Sequence, residues 1–96
     1  MEWSEGVAFI KGINFYANNR ITQARMLDLC RSIESDDLKI LRVVRTDNVI
    51  FKKRNMLHYA TVSKRLEKVL SEHFQRQIQV TSRSMRTLRA LKYERI

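Results

Sequence analysis

The sixteen residues from Leu38 to Lys53, LKILRVVRTDNVIFKK, restrict the fold of this chain more than any other stretch. Two β-branched and apolar runs, Ile40–Val44 and Val49–Phe51, flank the polar trio Thr46-Asp47-Asn48. Val, Ile and Phe suit a pleated, half-buried surface, and Asp and Asn tolerate the positive φ of a tight turn. The stretch predicts a β-hairpin at the middle of one sheet, with a β-α segment before it and an α-β segment after it.

On the N-terminal side, Val7–Asn14 (VAFIKGIN) predicts the first strand, and Met1–Gly6 a short, loosely held lead-in. Gly12, late in that strand, marks a bulge or a close backbone approach. FYANNR, residues 15–20, supplies turn-forming residues for the connection. Thr22 is a candidate helix N-cap. Met26, Leu27, Cys30 and Ile33 then recur on one face of an amphipathic helix. Cys30 lies on that apolar stripe, with no base identifiable beside it, so it reads as a buried, inert thiol. Ser35-Asp36-Asp37 closes the helix, because acids at a C-terminus oppose the helix dipole.

On the C-terminal side, Lys52-Lys53-Arg54-Asn55 predicts a basic loop. Tyr59, Val62, Leu66, Val69, Leu70, His73 and Phe74 repeat with helical period, opposite Lys64, Arg65, Glu67, Lys68, Ser71 and Glu72. His58 and His73 have no cysteine or carboxylate at metal-ligand spacing, so no metal site is expected. Ile78–Ser82 alternates polar and less polar residues, as in a strand with one wet face. A third helical segment begins at Ser84, with Met85, Leu88 and Leu91 as a thin apolar edge.

The order β-α-β-β-α-β predicts an α+β, ferredoxin-like split β-α-β sandwich. Four antiparallel strands carry two helices on one face, with the first and third strands central. Residues 1–96 form a single domain, and residues 84–96 a basic helical tail. A chain of 96 residues buries roughly two thirds of its unfolded surface, enough for one two-layer core.

No apolar run approaches the ~20 residues of a membrane span, and MEWSEG lacks the basic start of a secretory signal. One cysteine forms no internal disulfide, which makes a reducing cytoplasm the default location. The net charge is +9. Residues 1–48 hold seven Lys/Arg and seven Asp/Glu, whereas residues 49–96 hold twelve against three and carry the whole excess. Such a field attracts polyanions. The residues expected to meet them are Lys52, Lys53 and Arg54 in the basic loop, and Arg83, Arg86, Arg89 and Lys92 in the tail.

Three stretches also carry a family resemblance. They are Val7-Ala8-Phe9-Ile10-Lys11-Gly12-Ile13-Asn14, then Asn19-x-Ile21 before a helix, then Thr46-Asp47-Asn48-Val49-Ile50-Phe51. Together they resemble the family called domain of unknown function 1697, whose pattern is a strand ending RGIN, a glycine pair and an Asn, a helix, and a strand around SGNVxF. Leu66–Phe74, Ile78–Val80 and Arg83-Ser84 fill its later places. The likeness is to the N-terminal half of longer family members. It implies the fold, and a shared polar set at Lys11, Gly12, Asn14, Asn19 and Asn48. This chain departs from the pattern at Lys11 (Arg in the family), at Tyr16-Ala17 (the glycine pair), at Asp47 (the glycine of SGN) and at Gln75 (the glycine after Phe74). Lysine loses the bidentate fork of arginine, and side chains in place of the glycine pair argue against a phosphate-cradling loop.

Three functional readings follow. The first is a nucleic-acid-binding module for RNA or DNA, with Phe9 and Phe51 on the central strands either stacking bases or packing the core. The second is a non-enzymatic homodimer that buries an open sheet face or pairs edge strands. The third is an enzyme with an Asn/Lys polar site at the end of the central strands. No nucleophile–base pair, metal set or P-loop accompanies those residues, and no cofactor is expected.

Overall fold

Burial decides the register of the central hairpin. In the computed structural model, which describes residues 3–12 and 21–85, Val43 stands opposite Val49 and Ile40 opposite Phe51, which puts their side chains on the face beneath the helices. The two hairpin strands are β2 (Leu38–Val44) and β3 (Asn48–Arg54). The positive φ values fall at Arg45 (59°) and Thr46 (67°), not at the expected Asp47-Asn48. Asn48 is already strand, opposite Val44, and the Asp47 carbonyl accepts a hydrogen bond from Ile10 N at 2.9 Å. Pairing with the first strand thus claims these two residues and pushes the turn back to residues with no intrinsic taste for it.

The first strand, β1, runs Trp3–Lys11. The expected lead-in is therefore strand from Trp3 onward, and the expected basic loop at 52–54 is strand as well. One pairing accounts for both corrections: Trp3, Ser4 and Glu5 stand opposite Arg54, Lys53 and Lys52. The same extension carries β4 (Gln79–Ser84) two residues past its expected end, because Gly6 pairs with Ser84. Ser84 closes β4, and Met85 directly after it is helical. The expected basic helix lies outside the described residues from residue 86. The sheet is antiparallel in the order β2-β3-β1-β4, with the first and third strands central. This is the ferredoxin-like order.

Helix α1 spans Gln23–Arg31, and Thr22 is its N-cap, accepting a hydrogen bond from Arg25 N at 3.1 Å. It stops earlier than the acids predicted. The Ser32 hydroxyl donates to the Leu29 carbonyl at 2.6 Å, competing with continuation of the helix. Ile33 lies beyond the helix but still packs on the core. Helix α2 spans Tyr59–Phe74 and buries Val62, Ser63, Leu66 and Leu70. Val62, Leu66 and Leu70 join Met26 and Cys30 of α1 against Ala8, Ile10, Leu38, Ile40, Val49, Phe51 and Val80 of the sheet. Gly6 has no space for a side chain there. A Cβ would lie 2.7 Å from both Phe51 Cζ and Tyr59 Cε1.

Gln75 ends α2 in the left-handed conformation, φ 54° and ψ 43°, at the place where the resembled family carries glycine. A side chain in this conformation costs roughly 1 kcal/mol. Gln75→Gly is therefore expected to stabilise the fold by about 0.5–1 kcal/mol, read as a higher midpoint in urea unfolding. A lower midpoint would show that the Gln75 side chain contributes more than its backbone costs.

On each sheet edge one strand amide is engaged by a carboxylate. On β2, Ile40 N donates to Glu34 Oε2 at 2.8 Å. On β4, Val80 N donates to Glu67 Oε2 at 2.8 Å, and the neighbouring Ile78 N donates to Ser71 Oγ at 3.0 Å. A bulge at Leu41, between Ile40 and Arg42, further interrupts the β2 edge. Carboxylates and bulges of this kind block the addition of another strand.

Candidate functional site

Because Lys52, Lys53 and Arg54 are strand residues, alternation sends them to opposite faces. Lys53 goes beneath the helices and is 4% exposed. Its ammonium lies 4.3 Å from the Tyr59 ring centroid and donates to the Arg54 carbonyl at 3.4 Å. Burial pushes its pKa down. Burial also pushes the Tyr59 phenol up, against a hydrogen bond with Ser84 that pulls it down. Lys53 thus belongs to the packed layer, apart from Lys52 and Arg54.

Lys52 and Arg54 stand on the second face, and Trp3 of β1 stands beside them. The Lys52 ammonium lies 5.2 Å from the Trp3 ring, and the Arg54 guanidinium carbon 4.9 Å from it. The register extends this group across the sheet. Lys39 of β2 is opposite Lys52 on one side, and Glu5 of β1 is opposite it on the other. In the next row, Arg42 is opposite Ile50, Ile50 opposite Val7, and Val7 opposite Arg83. The two arginines thus stand about 14 Å apart across four strands. Lys39, Arg42 and Arg83 are exposed, while Lys52, Arg54 and Trp3 are half-buried. Glu5 is the one carboxylate on this face among the described strand residues. Like charges placed directly opposite one another destabilise a sheet, so the Lys39–Lys52 pair is a cost that core packing does not explain.

The centre of this face is apolar and closed. Val7 and Ile50 are 0% and 4% exposed, with Phe9, Val44 and Met85 packed against them. Phe9 therefore lies on the second face, whereas Phe51 is fully buried beneath the helices and has no access to a partner. Trp3 was not among the expected residues. The odd-numbered run Trp3, Glu5, Val7, Phe9, Lys11 is the period-two signal that reveals it. Lys39 and Arg42 were hidden by the electrically neutral sum of residues 1–48.

The polar set implied by the family resemblance sits at the other end of β1, about 26 Å from Trp3. Lys11 is exposed at the strand terminus, and Gly12 follows with φ 103°, which favours glycine. Asn48 opens β3 opposite Phe9, and its Nδ2 donates to Asp47 Oδ1 at 3.3 Å. Asn14 and Asn19 lie outside the described residues, as do Arg86, Arg89 and Lys92. Only Lys11, Gly12 and Asn48 of the polar set are therefore seen together.

The remaining reactive groups are structural. Cys30 is fully buried, and burial pushes its thiol up to about 12, so it stays protonated and inert. A hydrogen bond from the Ser35 hydroxyl holds the Asp37 carboxyl below its usual range. His58 precedes the first residue of α2 and His73 occupies its last turn, about 22 Å away along the helix.

Fold and face together define an α+β, ferredoxin-like protein with one helix-covered sheet face and one cationic face that carries a tryptophan. The chain belongs to the family described as Protein of unknown function (DUF1697), whose model matches residues 4–94. No curated protein and no solved structure matches it. Among the described residues, no helix is long and apolar enough to cross a membrane.

Proposed function

We propose that the second sheet face binds nucleic acid, RNA or DNA, mainly through phosphates. The observation that carries this reading is the placement of Lys39, Arg42, Lys52, Arg54 and Arg83 on one face, with a single carboxylate among the described strand residues there. The sheet brings cations of β2, from the neutral half of the sequence, beside those of β3 and β4. In sequence, Arg86, Arg89 and Lys92 continue the charge directly after β4. A single buried thiol is compatible with a reducing cytoplasm as the location.

A homodimeric interaction module is the competing reading, and the geometry supports it less. Its motives are an uncovered apolar face and open sheet edges. Val7 and Ile50 are already closed off, and Glu34 and Glu67 each engage one amide of an edge strand. For the enzyme reading, no nucleophile–base pair stands beside Lys11 and Asn48 among the described residues.

Titration of duplex DNA over a range of salt tests the proposal. Phosphate contacts release counterions, so about four of them give a log–log slope near −3 to −4 on a duplex, and a shallower one on single strands. Replacing Arg86, Arg89 and Lys92 with Ala flattens the slope if the tail adds contacts to those of the face. The same weakening is expected on every sequence, because phosphates carry no sequence information. No binding at low salt would reduce the charge to a solvated surface.

A further inference from the structure

We infer that the nucleic acid taken by this face is single-stranded, and that Trp3 is its base-stacking platform. This rests on the polyanion reading above and adds the part of the ligand that phosphates do not specify. Trp3 is half-buried in the first row of a central strand, opposite Arg54, and the Glu5–Lys52 row separates it from the closed apolar centre at Val7 and Ile50. A strand of nucleic acid alternates a flat apolar base with an anionic phosphate. The face offers both elements: an indole, two cations within about 5 Å of it, then Lys39 and Arg42 along the next strand, with Glu5 the one carboxylate beside them among the described strand residues.

The cations already lying against the ring do not bar a base. A cation over an aromatic at an exposed site contributes roughly a twofold to fivefold preference, while a base stacked on an aromatic contributes roughly 5- to 150-fold. Two such cations together contribute roughly 5- to 30-fold, so a base competes with them on the ring, and a phosphate on either side of that base receives the displaced charge. A duplex keeps its bases stacked inside and offers only the phosphates. It gains nothing from the indole.

Trp3 is the one tryptophan in the chain, so its fluorescence reports directly on this position. The test titrates four probes of similar length: oligouridylate, oligothymidylate, a DNA duplex and inorganic polyphosphate. Each is run against the unaltered protein, Trp3→Leu and Trp3→Phe, with circular dichroism confirming that each variant is folded. The expected result is quenching of Trp3 by single strands. Trp3→Leu should weaken single-strand binding roughly 5- to 150-fold, with polyphosphate and duplex binding changed less than about twofold, and Trp3→Phe should restore most of the loss. Binding of either the ribose or the deoxyribose strand in this manner supports the inference. Equal weakening of single strands and polyphosphate by Trp3→Leu would overturn it, making Trp3 only a support for Lys52 and Arg54. So would retention of single-strand affinity in Trp3→Leu. If none of the four probes binds, the polyanion reading itself fails, a result distinct from either of these.

Discussion

Leu70→Ala lowers the free energy of unfolding by about 2–5 kcal/mol, while Lys68→Ala, two residues away, changes it by less than about 0.5 kcal/mol. Leu70 is fully buried where α2 meets the sheet, among Val62, Leu66, Ile78 and Val80. Truncation removes its transfer free energy and leaves a cavity in a layer only one helix thick. Lys68 is exposed on the outer side of the same helix. Urea denaturation with an unchanged m-value reads both losses. Comparable losses at the two positions would mean that the helical phase assigned to α2 is wrong.

If the proposed nucleic-acid reading holds, the combined substitution Lys52→Glu and Arg54→Glu is expected to weaken binding by about 2–4 kcal/mol, or roughly 30- to 1000-fold. Two charge-assisted contacts are lost, and two carboxylates then face the phosphates beside Trp3. The fold has reason to tolerate the change. Position 52 is opposite Lys39, so a carboxylate there relieves the like-charge pair, although it then also faces Glu5. Position 54 is at the strand end. The thermal midpoint is expected to stay within a few degrees while the affinity collapses. A substitution that unfolds the chain would have a different signature, with both quantities falling together.

The sequence revealed the topology because its cues are local and agree with one another. The Thr22 cap, the α2 stripe from Tyr59 to Phe74 and the apolar runs around the hairpin each specify one element, and their order leaves few arrangements. The extent of the strands was less legible. Residues 48–54 read as an apolar run followed by a basic run with no alternation, and only pairing with Trp3–Glu5 makes Lys52–Arg54 a strand. Strand propensity is largely a property of such neighbours. This hid the candidate site as well. Parity on a strand decides that Lys52 and Arg54 share a face while Lys53 is buried, and a basic run read as a loop has no parity. Lys39 and Arg42 join the face through strand order, which a charge sum over half the chain does not show. The turn at Arg45-Thr46 was missed for a related reason: β1 draws Asp47 and Asn48 into the sheet.

The most direct test of the cationic face compares two charge reversals of equal size on opposite surfaces. One is Lys52→Glu with Arg54→Glu, on the second sheet face. The other is Lys64→Glu with Lys68→Glu, on the exposed side of α2. Both change the net charge by the same four units, so a nonspecific attraction to the +9 chain is reduced equally in the two. The measurement is the salt dependence of binding to one labelled single strand. The account predicts that the sheet-face pair loses roughly 30- to 1000-fold in affinity and flattens the slope by about 1–2 units, while the helix pair keeps the slope and most of the affinity. Equal losses in the two proteins would contradict it and return the charge to a general property of the surface.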